Sequence, residues 1–157
     1  MSITDSPIPT NRSLPWIVVV EDEPSSARLI LRAFERLEIQ NRVVLVKNAE
    51  AAWDTLEKPL ADSDPPHPGP GLIITDHRLP RISGLELVRW VRQSPVHQEV
   101  PCVVFSACGN PEDVVEAYQA GANCFIVKPY RFVELRELMH SIHHFFLPHG
   151  VSQGALP

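Results

Sequence analysis

The sequence predicts an α/β fold in which a five-stranded parallel sheet carries helices on both faces. Short apolar runs rich in β-branched residues recur along the chain, and each is followed by a segment with apolar residues at three- and four-residue spacing. Because parallel neighbours need a crossover helix and these crossovers are right-handed, this alternation indicates a parallel sheet. A length of 157 residues without a further internal repeat predicts one domain.

The first βα unit begins with Trp16–Val20, a continuous apolar run that fits a strand buried on both faces. Pro24 stands where a first helical residue can lie, and an amphipathic helix follows it. Val43–Val46 is the second strand, and Asn48 is the predicted N-cap of the next helix. The apolar residues that define these two helices are Ala27, Ile30, Leu31, Phe34, Leu37, Ala49, Ala52, Trp53 and Leu56.

Residues 58–71 contain five prolines and two glycines. This composition cannot continue a helix or a strand, so it predicts an extended surface loop. A domain linker is the alternative, but the sequence on either side is too short for a second core. We therefore expect an insertion before the third strand.

The second half of the chain repeats the pattern three times. Leu72–Asp76, Cys102–Phe105 and Phe125–Val127 are the third, fourth and fifth strands. Helices are expected up to about Gln93, from Asn110-Pro111, and from about Arg131, and the last one carries a broad apolar face. We expect disorder in residues 1–14 and 148–157, on either side of a domain spanning 15–147.

Composition excludes several classes of function. The net charge of −5, with no basic stripe, argues against a nucleic-acid surface. The N-terminal residues are polar and interrupted by prolines, so they predict neither a signal peptide nor a membrane span. Cys102, Cys108 and Cys124 are odd in number and lack metal-type spacing, which favours a reducing compartment. A cytoplasmic location is expected.

Polar side chains end four of the predicted strands. Glu21 and Asp22 follow the first, Asp76 ends the third, Ser106 follows the fourth and Lys128 follows the fifth. An Asp after a strand often only starts a turn. Polar side chains at the ends of four of the five strands favour a functional site instead. With the flavodoxin-like strand order 2-1-3-4-5, the first and third strands are neighbours at a switch point, which brings Glu21, Asp22 and Asp76 together.

Three carboxylates in one crevice repel one another unless a proton or a cation lies among them. Oxygen-only ligands favour a hard ion such as Mg²⁺. Lys128 and Ser106 add an ammonium and a hydroxyl to the same crevice. The set suits phosphoryl transfer to Asp76, in which positioning and charge neutralisation supply most of the catalysis.

Four motifs, VVVEDEP, LIITDHRLP, VVFSA and FIVKPY, together resemble the receiver domain of two-component response regulators, from about Trp16 to Phe146. The resemblance implies that Glu21 and Asp22 hold Mg²⁺ with Asp76. Asp76 then accepts a phosphoryl group from a histidine kinase, while Ser106 senses that group and Lys128 contacts it. It also implies a cis peptide between Lys128 and Pro129, a geometry that is rare even before proline.

The resemblance further implies a switch made by Ser106 and by Phe125, which stands where Tyr is common. Arg78 and Cys108 occupy positions that tune phosphate lifetime in the family. Enzymatic activity would be limited to self-phosphorylation and autodephosphorylation. His77 is unusual beside the acceptor.

The loop before the third strand and the aromatic end of the last helix resemble the small stand-alone receivers that partner phytochrome-type kinases. That resemblance implies an unidentified downstream protein and allows a homodimer through the fifth strand and last helix. His140, His143 and His144 are not predicted to bind metal, since His143 and His144 are adjacent and project in different directions.

Two alternatives stay open. A haloacid dehalogenase-like phosphatase also uses a strand-end Asp, Mg²⁺, Ser and Lys, but its nucleophile and acid lie two residues apart in one motif that is not found here. A phosphorylation-independent interaction domain would keep the fold without using Asp76 chemically.

Overall fold

The structure, a computed structural model, describes residues 4–5, 11, 13–57 and 68–147. Within these residues the strands are β1 (Thr4–Asp5), β2 (Trp16–Val20), β3 (Val43–Val46), β4 (Pro70–Asp76), β5 (Cys102–Ser106) and β6 (Cys124–Val127). The helices are α1 (Pro24–Arg36), α2 (Ala49–Glu57), α3 (Gly84–Gln93), α4 (Pro111–Ala120) and α5 (Phe132–Phe146).

The sheet has the order β1-β3-β2-β4-β5-β6. Its five parallel strands therefore follow the predicted order 2-1-3-4-5, counted from β2, and the predicted flavodoxin-like fold is confirmed. The strand that ends at Asp76 lies between β2 and β5, at the centre of the sheet.

Two boundaries differ from the prediction. The N-terminal arm predicted to be disordered contains β1, which pairs antiparallel with β3. β4 begins at Pro70, so the last two residues of the predicted 58–71 insertion belong to the sheet, where Pro70 pairs with Trp16. Proline is tolerated as the first residue of a strand because no ladder hydrogen bond from its nitrogen is needed there. Residues 58–67 and the tail 148–157 lie outside the described residues.

The core has two layers, one on each face of the sheet. α1 and α5 pack on one face through residues such as Phe34 and Met139, and α2, α3 and α4 cover the other through residues such as Leu87 and Ala117. β2 is almost inaccessible to solvent, as expected for a strand between two layers. None of the helices in the described part of the chain is long and apolar enough to span a membrane.

Side chains cap the starts of α1 and α2. The Glu23 carboxylate accepts a hydrogen bond from the Ser25 backbone N–H at 3.2 Å, directly before Pro24 at the first helical position of α1. Asn48 Oδ1 accepts from the Ala51 N–H at 2.7 Å, which confirms the predicted cap of α2.

Arg92, near the end of α3, ties three segments together at the amino edge of the sheet. Its guanidinium donates to the backbone oxygens of Gly121, Gln98 and Val100 at 2.7–2.9 Å, and to Asn123 Oδ1 at 2.7 Å. Five donors in a planar fork suit such a multiple contact, which lysine cannot reproduce.

We expect Arg92→Met to lower the free energy of unfolding by about 2–3 kcal/mol, since several hydrogen bonds from a charged donor are lost while the aliphatic stem is kept. Arg89→Met on the same helix is the matched control. Arg89 forms exposed ion pairs with Glu86 and Glu116, so its loss should cost less than about 1 kcal/mol. Urea denaturation measures both, and equal effects would contradict the role given to Arg92.

Candidate functional site

The polar residues predicted to form a site lie together at the carboxyl edge of the sheet. Glu21 and Asp22 follow β2, Asp76 and Ser106 are the last residues of β4 and β5, and Lys128 follows β6. Because the strands are parallel and neighbours, their ends face one crevice.

Backbone contacts on both sides hold the end of β4 in place. The N–H of His77 donates to Phe105 O at 2.7 Å, and the N–H of Gly84 donates to His77 O at 3.0 Å. A Cβ atom at Gly84 would lie 1.9 Å from Asp76 O, so only glycine permits this close approach of α3. The direction of the Asp76 side chain is thus set by β5 and by the start of α3.

Glu21, Asp22 and Asp76 form an acidic cluster. Each offers a carboxylate oxygen, and these oxygens all lie within 4.8 Å of one another. Glu21 is buried, Asp76 is partly buried and Asp22 is exposed, so the cluster opens to solvent on one side. The donors are all hard oxygens, which fit a Mg²⁺ ion that keeps several waters.

Lys128 contacts the two less exposed carboxylates of the cluster, Glu21 and Asp76. Its Nζ lies 2.6 Å from Glu21 Oε2 and 3.3 Å from Asp76 Oδ2. Burial alone would lower the pKa of Lys128, but the hydrogen bond and the charge of Glu21, together with Asp76, outweigh burial and raise it. The ammonium therefore remains charged at neutral pH.

Asp76 is the carboxylate of this cluster whose ionised form is disfavoured in the folded protein. Burial, followed by repulsion from Glu21, raises its pKa from the ordinary 3.8 to about 6, and Lys128 only partly offsets these effects. One ammonium therefore does not outweigh burial and the Glu21 charge, and a divalent cation beside Asp76 would favour its ionised form.

Ser106 is directed toward its own loop. Its hydroxyl donates to Cys108 O at 2.7 Å, which bends the segment between β5 and α4 back on the strand end. Cys108 is exposed. Arg78 is exposed as well, and its guanidinium lies 3.6 Å from Asp113 Oδ2, so its side chain extends toward the start of α4.

Phe125 is half-buried and lies on β6, the strand that pairs with β5. Its ring meets the His77 ring edge to face, with centroids 6.0 Å apart and planes at 73°. Its backbone N–H donates to the Tyr118 hydroxyl on α4 at 3.3 Å. Phe125 thus connects the residue next to Asp76 with α4.

Two further residues beside the site were not predicted from the sequence. Ser26 donates its hydroxyl to Glu21 Oε2 at 3.1 Å, and a helix that starts directly after a strand-end acid could have suggested it. His77 was noted only as unusual, yet it is 6% exposed and its Nδ1 has no hydrogen-bond partner among the described residues. His77 packs against the Phe125 ring, a contact between segments distant in sequence that its polar side chain did not suggest.

A family profile for the response regulator receiver domain matches residues 17–140. The chain belongs to the response regulator receiver family. Receivers act in phosphorelay signalling with a histidine kinase as partner, and in general they catalyse only their own phosphorylation. Membership in this family favours a phosphorelay receiver over a haloacid dehalogenase-like phosphatase.

Individual relatives agree with this assignment. The probable methanogenesis regulatory protein FilR2 of Methanothrix harundinacea is 30% identical over 143 residues, which cover 88% of this chain and 87% of the relative. The phosphorylated cyanobacterial phytochrome response regulator RcpA is 27% identical, with a TM-score of 0.75 and coverage of 89% and 98%. The Mn²⁺-bound form of response regulator Rcp1, a Synechocystis protein, is 26% identical, with a TM-score of 0.71 and coverage of 91% and 99%.

We expect Asp76→Asn to raise the free energy of unfolding at pH 7 in the presence of a chelator, by about 1–2 kcal/mol. The folded-state pKa of about 6 lies above the ordinary 3.8, so ionised Asp76 destabilises the fold at neutral pH. This penalty disappears as pH falls through 6 toward 4, because the folded state then binds the extra proton.

Urea denaturation of both proteins at pH 7 and pH 5 measures the effect. The advantage of the Asn variant should shrink at pH 5. Asp54→Asn, on the exposed side of α2, is the matched control and should show no such pH-dependent gain. A variant less stable than the wild type at pH 7 would contradict the predicted charge repulsion.

Proposed function

We propose that Asp76 is the phosphoacceptor of this receiver. A carboxylate oxygen of Asp76 attacks phosphorus, and the bond from phosphorus to the donor histidine of the kinase breaks, which leaves an acyl phosphate. The observation that supports this most directly is the convergence of Glu21, Asp22 and Lys128 on Asp76 at the carboxyl edge of the sheet.

We propose that Glu21, Asp22 and Asp76 hold Mg²⁺. When bound, the ion neutralises charge on the cluster and on phosphoryl oxygens. The oxygen-only donor set and the raised pKa of Asp76 both support a divalent cation here. The Mn²⁺-bound relative is consistent with the same chemistry.

Lys128 and Ser106 are proposed to contact the phosphoryl group from two sides. Lys128 keeps its proton because of the surrounding carboxylates, so it can pair with an anionic oxygen. Ser106 can exchange its bond to Cys108 O for one to the phosphoryl group, which would move the loop that starts α4. The cis peptide between Lys128 and Pro129 remains a prediction.

Phe125 is proposed to transmit this change to the surface formed by α4, β6 and α5. Its contacts with His77 and Tyr118 link the acceptor strand to α4. Arg78 and Cys108 are proposed to tune the phosphate lifetime, and their exposure beside the crevice supports access to the phosphoryl group.

The downstream surface includes Val127, Tyr130 and Val133, which are large apolar or aromatic residues exposed around β6 and the start of α5. Such exposure fits a switched partner or a homodimer. The phytochrome relative supports a phytochrome-type kinase as the phosphodonor. A receiver meets its kinase in the cytoplasm, and we propose that location.

We expect a small-molecule acyl phosphate to add one phosphoryl group to the wild-type chain in the presence of Mg²⁺ and none in its absence. Intact-mass analysis measures the addition. Asp76→Asn should gain no phosphoryl group, whereas Asp54→Asn should behave like the wild type. Equal labelling of the wild type and Asp76→Asn would place the acceptor elsewhere, and no labelling of the wild type would favour the phosphorylation-independent interaction domain.

We expect Asp22→Asn to weaken Mg²⁺ affinity by about tenfold or more, since a charged ligand is lost. Glu23→Gln is the matched control, because Glu23 is used to cap α1 through Ser25. Isothermal titration measures both. Comparable weakening in the two variants would indicate a general charge effect and contradict a ligand role for Asp22.

A further inference from the structure

α5 carries a pair of histidines one turn apart that the phosphorylation site does not use. His140 and His144 are both exposed, with ring centroids 6.2 Å apart and ring planes tilted by 40°. The opposite face of the helix is anchored in the core by Leu135, Met139 and Ile142. A fixed helix therefore presents both imidazoles side by side to solvent.

His143 belongs to a different surface. It is half-buried, and its Nε2 lies 2.8 Å from Asn41 Oδ1, so it joins α5 to the segment before β3. As predicted, His143 and His144 project in different directions. The relevant spacing is that of His140 and His144, which as i and i+4 residues lie on one face.

We propose that His140 and His144 form a binding site for one divalent transition-metal ion that prefers imidazole, such as Ni²⁺, Cu²⁺ or Zn²⁺. Metal–nitrogen bonds of about 2.0–2.1 Å would place the two ring centres roughly 5 Å apart. Small side-chain rotations, which exposed residues allow, would shorten the observed centroid separation of 6.2 Å to this value. Nitrogen donors select these ions over Mg²⁺, which favours the oxygen cluster.

The site lies far from Asp76 along the sheet. α5 starts after the Lys128 strand end and runs back to Leu147, whose side chain lies near Gly71 at the amino end of β4. A metal ion bound to both histidines would link two successive turns at the end of α5, just before the helix ends at Leu147. It would thereby order the turn that carries Phe145, which is 74% exposed.

The test is isothermal titration of the untagged full chain with Ni²⁺, in excess Mg²⁺ that occupies the acidic cluster. The wild type should bind one Ni²⁺ at a site that His140→Ala or His144→Ala weakens by about tenfold or more. Alanine suits an exposed helical position, so both variants should fold, which circular dichroism verifies. His143→Gln is the matched control and should bind Ni²⁺ like the wild type.

Hydrogen exchange gives a second readout. Ni²⁺ should slow amide exchange in residues 141–147 of the wild type and of His143→Gln, and leave both alanine variants unchanged. The proposal is overturned if the wild type shows no saturable Ni²⁺ binding, if the alanine variants bind as tightly as the wild type, or if His143→Gln weakens binding equally. Phosphorylation of Asp76 is measured separately by mass, so its failure would not affect this result.

Discussion

The organisation of the functional site depends on the repulsion among three carboxylates that the parallel sheet forces together. Glu21 and Asp22 directly follow β2 and Asp76 ends the neighbouring β4, so their proximity follows from strand pairing. Burial and then the charge of Glu21 raise the pKa of Asp76, and Lys128 only partly offsets them. Three carboxylate oxygens this close together fit a hard cation such as Mg²⁺.

The rest of the domain keeps these groups from relaxing apart. β2 and β4 are buried between two layers of helices, so their ends cannot separate without exposing the core. α3 approaches Asp76 O so closely that Gly84 is required there. The loop after Ser106 and the Phe125 ring lie between the sheet and α4.

Hydrophobic pattern predicted the parallel strands, and caps predicted helix starts such as that of α2, because buried runs and caps are local signals. The strand order was predicted from the flavodoxin-like fold class. β1 was missed, since two residues carry no periodicity and gain their partner only from β3. The start of β4 at Pro70 was missed for a related reason: proline argues against a strand interior, but the first position of a strand tolerates it. The burial of His77 and the contact of Ser26 with Glu21 also depended on neighbours distant in sequence or on helix orientation.

The amino-acid sequence alone was enough to predict which polar side chains lie at the strand ends. Its four receiver-like motifs contain all of them: Glu21, Asp22, Asp76, Ser106 and Lys128. The tertiary structure decided how those groups interact: Lys128 lies nearer to Glu21 than to Asp76, Ser106 bonds to Cys108 O, and His140 pairs with His144 while His143 turns to Asn41. Residue identity and spacing can be read from the sequence. Burial, side-chain direction and the resulting pKa values depend on how distant segments pack together.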